Sequence, residues 1–341
     1  MKSSTGSHPR QRFSQLSGNL LLVIFIIALI GISVLSLSMG AFKIDLFGEN
    51  AEMSRRVFFK LRLPRVLAGI IAGGVLGVTG AVTQTVFCNP LATPDITGVA
   101  SGASFGAAVA ILLGYYSWSR IASAFVGGVI ALILLLIFVR LSSRAGAEEK
   151  GRYILSGILI SSAFDAGLMV LKTVADPERE LAAIEFWIMG SFASMTSEKL
   201  IVMALSSLPP LALLFLFSRQ ALILSRGADE ARSVGVSPKI WQAVLLLLST
   251  LAVAGVVSCV GVIGFVGLIV PHMALAVSKK RGFTHLLLCF VIGAIITVIS
   301  DLLARMLFEG AELPVSFFCI AFAILWFAVL FCRGKVMGGE R

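Results

Sequence analysis

The run from Leu20 to Met39 is almost wholly apolar, about 30 Å of chain if helical and enough to cross a bilayer. Nine more apolar stretches follow it. With the first near 18–39, they lie near 64–87, 95–114, 118–140, 153–174, 196–218, 241–260, 263–278, 283–307 and 313–332. Only 13% of the 341 residues are charged and the mean hydropathy is +0.99, whereas soluble domains carry about 25% charged residues. So few charges cannot cover a water-facing surface, which excludes a soluble enzyme, a nucleic-acid binder and a disordered chain. The expected fold class is all-α: a polytopic membrane protein of about ten transmembrane helices. A cleaved signal peptide would have a shorter apolar core, about 7–15 residues, and a small-residue cleavage site, so the first run reads as a retained span. The organisation is then an N-terminal tail (1–17), a transmembrane domain (18–333) with a long connection at 219–240, and a C-terminal tail (334–341). Pro271 interrupts the short stretch 263–278, which predicts a broken helix sheltered by protein or a water-filled cavity.

An even number of spans puts both termini on one side, and the distribution of Lys and Arg names the side. With cytoplasmic termini, the inner segments hold 17 basic residues and the outer segments 8. One segment dissents. Arg55, Arg56, Lys60, Arg62 and Arg65 fall on the outer face, where they fit a lipid-headgroup contact, an outward surface for an acidic partner, or the opposite topology.

Gly69, Gly73, Gly77 and Ala81 recur every four residues in the second span, and Gly98, Gly102 and Gly106 repeat the spacing in the third. Such stripes let helices approach closely in lipid, where association depends on van der Waals contact. The five scattered cysteines have neither disulfide nor zinc-site spacing and read as small apolar packing residues. No HExxH, GxSxG or phosphate-cradling GxxxxGK[ST] motif is present. No metal site or cofactor is expected, and any ATP must bind to another chain. Ionisable residues inside spans cost about 2.5–3.5 kcal/mol each at a helix centre. Asp165 has Lys172 two turns along its helix, and Asp301 and Arg305 can pair at i, i+4. A proton relay would usually present more carboxylates or a mid-depth histidine, which weighs against a proton-coupled carrier.

The connection 219–240 predicts a short capped helix. Asp229 and Glu230 suit its first turn, Ala228, Ala231 and Val234 recur on one face, Gly235 can take the C′ position, and Pro238 blocks continuation. A solvated loop is the plain alternative, but a compact helix between two spans is better suited to seating against a partner.

Arg62-Leu-Pro-Arg65, the glycine stripe to Gln84, Asn89-Pro-Leu-Ala92 with Pro94-Asp95, and Gly98-Val-Ala-Ser-Gly102 resemble the signature of FecCD-type permeases. Further matches are Phe186-Trp-Ile-Met-Gly190, Ala231-Arg-Ser-Val-Gly-Val236, Gly264-Phe-Val-Gly-Leu-Ile-Val-Pro-His272 and Asp301-Leu-Leu-Ala-Arg305 with Glu312-Leu-Pro314. They run in family order from about residue 60 to 330. These permeases are membrane subunits of binding-protein-dependent ABC importers for iron-siderophores, haem and cobalamin.

The resemblance implies ten helices per subunit and a homo- or heterodimer of permeases in a bacterial plasma (inner) membrane, with a path along the dimer axis. It implies two ATP-binding subunits seated on the cytoplasmic connection at Gly227, Asp229, Glu230, Ala231, Arg232 and Gly235. It implies that Arg62, Arg65 and Arg305 face outward and receive carboxylates of an extracytoplasmic substrate-binding protein, and that Asn89, Pro90 and Leu91 form an inner gate. A ferric siderophore is the expected cargo, with haem or cobalamin as alternatives and an ion-coupled carrier behind them. Two departures stand out: Gly261-Val-Ile263 lacks the family's proline, and Cys319-Ile-Ala-Phe322 replaces a Gly-Ala-Pro turn. The tenth span is therefore expected to be straighter than in the family.

Overall fold

A computed structural model describes residues 9–40, 51–142, 149–278, 281–307 and 312–332. Residues 1–8 of the predicted N-terminal tail, the whole predicted C-terminal tail (334–341) and the basic pair Lys279–Lys280 lie outside the described residues. The helices are α1 (Pro9–Ser38), α2 (Ala51–Val57), α3 (Leu63–Phe87), α4 (Val99–Leu112), α5 (Trp118–Leu141), α6 (Glu149–Val174) and α7 (Ala182–Ile188). The series continues with α8 (Ser197–Leu216), α9 (Ser218–Leu224), α10 (Ala228–Ser233), α11 (Pro238–Val260), α12 (Val266–Ser278), α13 (Phe283–Met306) and α14 (Val315–Cys332). No strand occurs among the described residues. Among the described residues, eight segments are long and apolar enough to cross a membrane, and the shorter apolar α4 and α12 complete the ten expected spans. The chain is an all-α, multi-span membrane protein.

The two short spans have local causes. At 1.5 Å per residue α4 is about 21 Å long, cut off by the 3₁₀ turn Pro94–Thr97 and the left-handed Gly98 (φ 77°) at one end and by Gly114 at the other. The expected break at Pro271 does not occur, because α12 runs through that residue. The span is shortened instead by the non-helical stretch 261–265, entered through Gly261 (φ 77°) and left through Phe265 (φ 67°). Irregular backbone at membrane depth must be satisfied by protein. Here Ser191 N donates to Val260 O and Ser316 Oγ to Val262 O, each at 2.8 Å. α14 is one uninterrupted helix.

α3, α11 and α13 form the centre: 83%, 72% and 72% of their apolar windows are buried, against 6% for α1 and 22% for α6, α8 and α14. The glycine stripes explain the centre. A Cβ on Gly73 would collide with the carbonyl oxygen of Gly293 in α13, and one on Gly80 with that of Gly267 in α12. With the backbones so close, Thr297 Oγ1 donates across the interface to Gly69 O at 2.7 Å. Gly102 and Gly127 bring α4 against α5 in the same way. Three cysteines, Cys259, Cys289 and Cys319, are packed in the core, while Cys88 and Cys332 are exposed.

Candidate functional site

The chemistry-bearing residues gather at two opposite ends of the bundle. The start of α3, the end of α13, the end of α1 and the approach to α14 meet at one end. There Arg65 Nε donates to both oxygens of Asp301 at 2.8 and 3.0 Å, and its Nη1 and Nη2 donate to the two oxygens of Glu312 at 2.9 Å each. The Glu312 contact is bidentate, one oxygen to each Nη, while the single Nε–H is shared between the two oxygens of Asp301. Arg305 donates to the Ser36 carbonyl and, at 2.6 Å, to Ser36 Oγ, and its Nε lies 3.9 Å from Asp301. Arg62 is buried and donates to Leu37 O and Ser38 O at 2.8 and 3.0 Å. The structure thus brings the three predicted docking arginines together, but turned into the bundle and bonded within the chain. The exposed members of the same basic segment are Arg55, Arg56 and Lys60. Asp301 and Arg305 do pair as their spacing suggests, but the nearer partner of Asp301 is Arg65.

The other end carries α9, α10 and the turn after α3. Two short helices, rather than one, occupy the connection 219–240. α10 begins after Gly227 (φ 119°), and Gly235 (φ 78°) follows its C-cap, Val234, as expected. Ala231 is fully buried and holds the helix down, while Asp229, Glu230, Arg232 and Val234 point to solvent. Val234 therefore leaves the predicted apolar face. Asp229 and Arg232 form an exposed ion pair at 2.9 Å. Pro238 does more than stop α10: it is the first residue of α11, where its missing N–H is no loss.

At the same end α3 stops at Cys88, which has a left-handed backbone (φ 48°), and Asn89 Oδ1 accepts the Leu91 N–H at 2.9 Å to close a tight turn. Leu91 is exposed. Sequence reasoning named Asn89, Pro90 and Leu91 but missed what pins them. His272 Nε2 lies 2.9 Å from Pro90 O, and the ring packs edge-on to Phe327 of α14 at 5.9 Å. A carbonyl only accepts, so Nε2 carries the proton. The turn between α3 and α4 is thereby tied to α12 and α14. The sequence signal for this was the histidine beside Pro271, but no spacing rule connects it to Pro90.

Two further ionisable residues depart from their expected pairing. Lys172 of α6 pairs with Glu185 of α7 at 2.9 Å, not with Asp165. Asp165 has no hydrogen bond or ion pair among the described residues. Among those residues there is also no group of three metal-ligating side chains.

Comparison with known proteins gives this arrangement its setting. The FecCD transport family matches residues 20–333. The molybdate import system permease protein MolB of Haemophilus influenzae is 32% identical over 321 residues, 93% of this chain and 94% of its own length. The hemin transport system permease protein HmuU of Yersinia pestis is 32% identical over 308 residues, covering 88% and 90%. A metal-chelate type ABC transporter solved in an inward-facing conformation superposes with a TM-score of 0.85 at 31% identity, over 92% of this chain and 99% of that one.

Proposed function

The chain belongs to the FecCD transport family and is an ABC importer permease, a transport component rather than an enzyme, and from that premise we propose that it imports ferric siderophores. In this reading two permease chains, identical or related, enclose a path through a bacterial plasma membrane. Two ATP-binding subunits seat on α10 from the cytoplasm, touching Asp229, Glu230 and Arg232, while Gly227 and Gly235 bound the helix and the buried Ala231 sets its position instead of meeting the partner. An extracytoplasmic binding protein docks on the rim that holds Arg62, Arg65 and Arg305. Asn89, Pro90 and Leu91 form the gate nearest the cytoplasm.

The observation that carries the reading is the separation of the two ends. A small capped helix with an exposed polar face lies at one end, and a basic rim with Arg55, Arg56 and Lys60 exposed lies at the other. The α10 end also collects the segments richer in Lys and Arg, which supports placing it in the cytoplasm. On the rim, Glu312 already occupies Arg65, so an incoming carboxylate would exchange with Glu312 while Arg55, Arg56 and Lys60 supply the first attraction. ATP binding and hydrolysis in the partners move the gate only if the nucleotide states bind the permease conformations unequally. The link from Pro90 through His272 to Phe327 offers a short route from gate turn to α14.

The test is uptake into vesicles holding this chain, its ATPase and a loaded binding protein. Ferric-siderophore uptake should require both ATP and the binding protein. Uptake by this chain alone, driven by a pH gradient, would contradict the importer mechanism. A cognate binding protein that co-purifies with haem, cobalamin or molybdate would contradict the cargo while leaving the mechanism standing.

A further inference from the structure

Asp165 lies on α6 about 5 Å from the helix midpoint and about 14 Å from its Val174 end, counting 1.5 Å per residue. One face of α6 packs inward: Ile160 and Leu168 are buried, and Phe164 stacks near Phe105 of α4 at 5.7 Å between centroids. The opposite face exposes Ser162, Asp165, Ala166, Met169 and Thr173, together with the apolar Leu155, Ile158 and Leu159. The spacing i, i+3, i+4, i+7 and i+11 from Ser162 to Thr173 makes a single stripe. Within it the carboxylate has no partner among the described residues, because Lys172 is taken by Glu185. An unpaired carboxylate facing hydrocarbon at this depth is costly, and such groups almost always face protein or a water-filled cavity. The side chain is also too short to reach the headgroups as a Lys or Arg stem can.

We infer that this stripe of α6 faces the water-filled translocation path, and that Asp165 places a negative charge in it near mid-membrane. The inference rests on the importer reading, which supplies the path, and it narrows the cargo. A fixed negative charge at that depth favours chelates that are neutral or cationic over free oxyanions. In a homodimer the charge is present twice.

The test is made in the assembled transporter, with Cys88→Ser and Cys332→Ser removing the two exposed native thiols. Ser162→Cys, one helical turn from Asp165, is treated with membrane-impermeant cationic and anionic methanethiosulfonates, with and without ATP. Both reagents should label it in at least one nucleotide state, the cationic one faster. Adding Asp165→Asn should lower the cationic-to-anionic rate ratio about three- to tenfold, as expected for unit charges about 6 Å apart in salt water. Ala166→Cys repeats the measurement should the first variant assemble poorly. If neither cysteine is labelled in any state while ATP-dependent uptake continues, the stripe faces lipid or a dry interface and the inference falls. Labelling with a ratio that Asp165→Asn leaves unchanged overturns the role of the charge. Loss of ATP dependence itself would instead strike the importer reading, so the two failures are distinct.

Discussion

Asp301 and Asp165 are both carboxylates on apolar helices, yet their surroundings differ in every respect. Asp301 sits near the end of a central helix, with a side chain only 3% exposed, held by Arg65 and flanked by Arg305. Asp165 sits near the middle of a peripheral helix, exposed and without a partner among the described residues. The first is a knot that ties α1, α3, α13 and the approach to α14 together. The second makes no contribution of that kind to the fold. A membrane protein keeps a charge either by satisfying it within the bundle or by giving it water, and this chain does one at each site.

The comparison can be broken most decisively at Asp301. Asp301→Ala leaves two guanidinium groups without their shared carboxylate, and removing one partner of a buried pair costs about 3–5 kcal/mol. Thermal unfolding of the purified chain should show a large loss of stability, and an unchanged midpoint would mean that the knot is only decorative. A smaller effect is expected from Glu312→Gln. The Glu312 side chain is 39% exposed, and exposed pairs contribute about 0–1 kcal/mol. Stability should barely change, but freeing half of the Arg65 fork should strengthen association with an acidic binding protein, most clearly at low salt. Weaker association at low salt would show that Glu312 helps to form the docking surface. The least effect on the fold is expected from Asp165→Asn, within about ±0.5 kcal/mol by the same unfolding assay. A loss as large as that of Asp301→Ala would mean that Asp165 has a buried partner after all.

Much of the architecture was legible because membrane spans announce themselves by length and apolarity. The ten spans, the glycine stripes on α3 and α4, and the capping of α10 by Gly235 all rest on short-range patterns that a linear reading can detect. What escaped it was long-range pairing. Arg65 and Asp301 are 236 positions apart, so the neighbour at i+4, Arg305, was the only partner that spacing could suggest for Asp301. The tie from His272 to Pro90 crosses 182 positions and involves a backbone carbonyl, which has no residue-type signature. Pro271 misled for a different reason. A proline inside a short apolar run looks like a break, but the carbonyl it would leave free, that of Gly267, lies against Gly80 in a glycine contact. The shortening of that span came from the 261–265 segment instead.

The account depends above all on α10 being the cytoplasmic seat of a separate ATPase. Val234 is exposed at the end of that helix, so Val234→Cys in intact cells gives a direct reading with an impermeant maleimide. The account predicts no labelling from outside, labelling once the cytoplasmic face is opened, and protection when the ATPase subunit is added. Labelling of Val234→Cys from outside intact cells would contradict it.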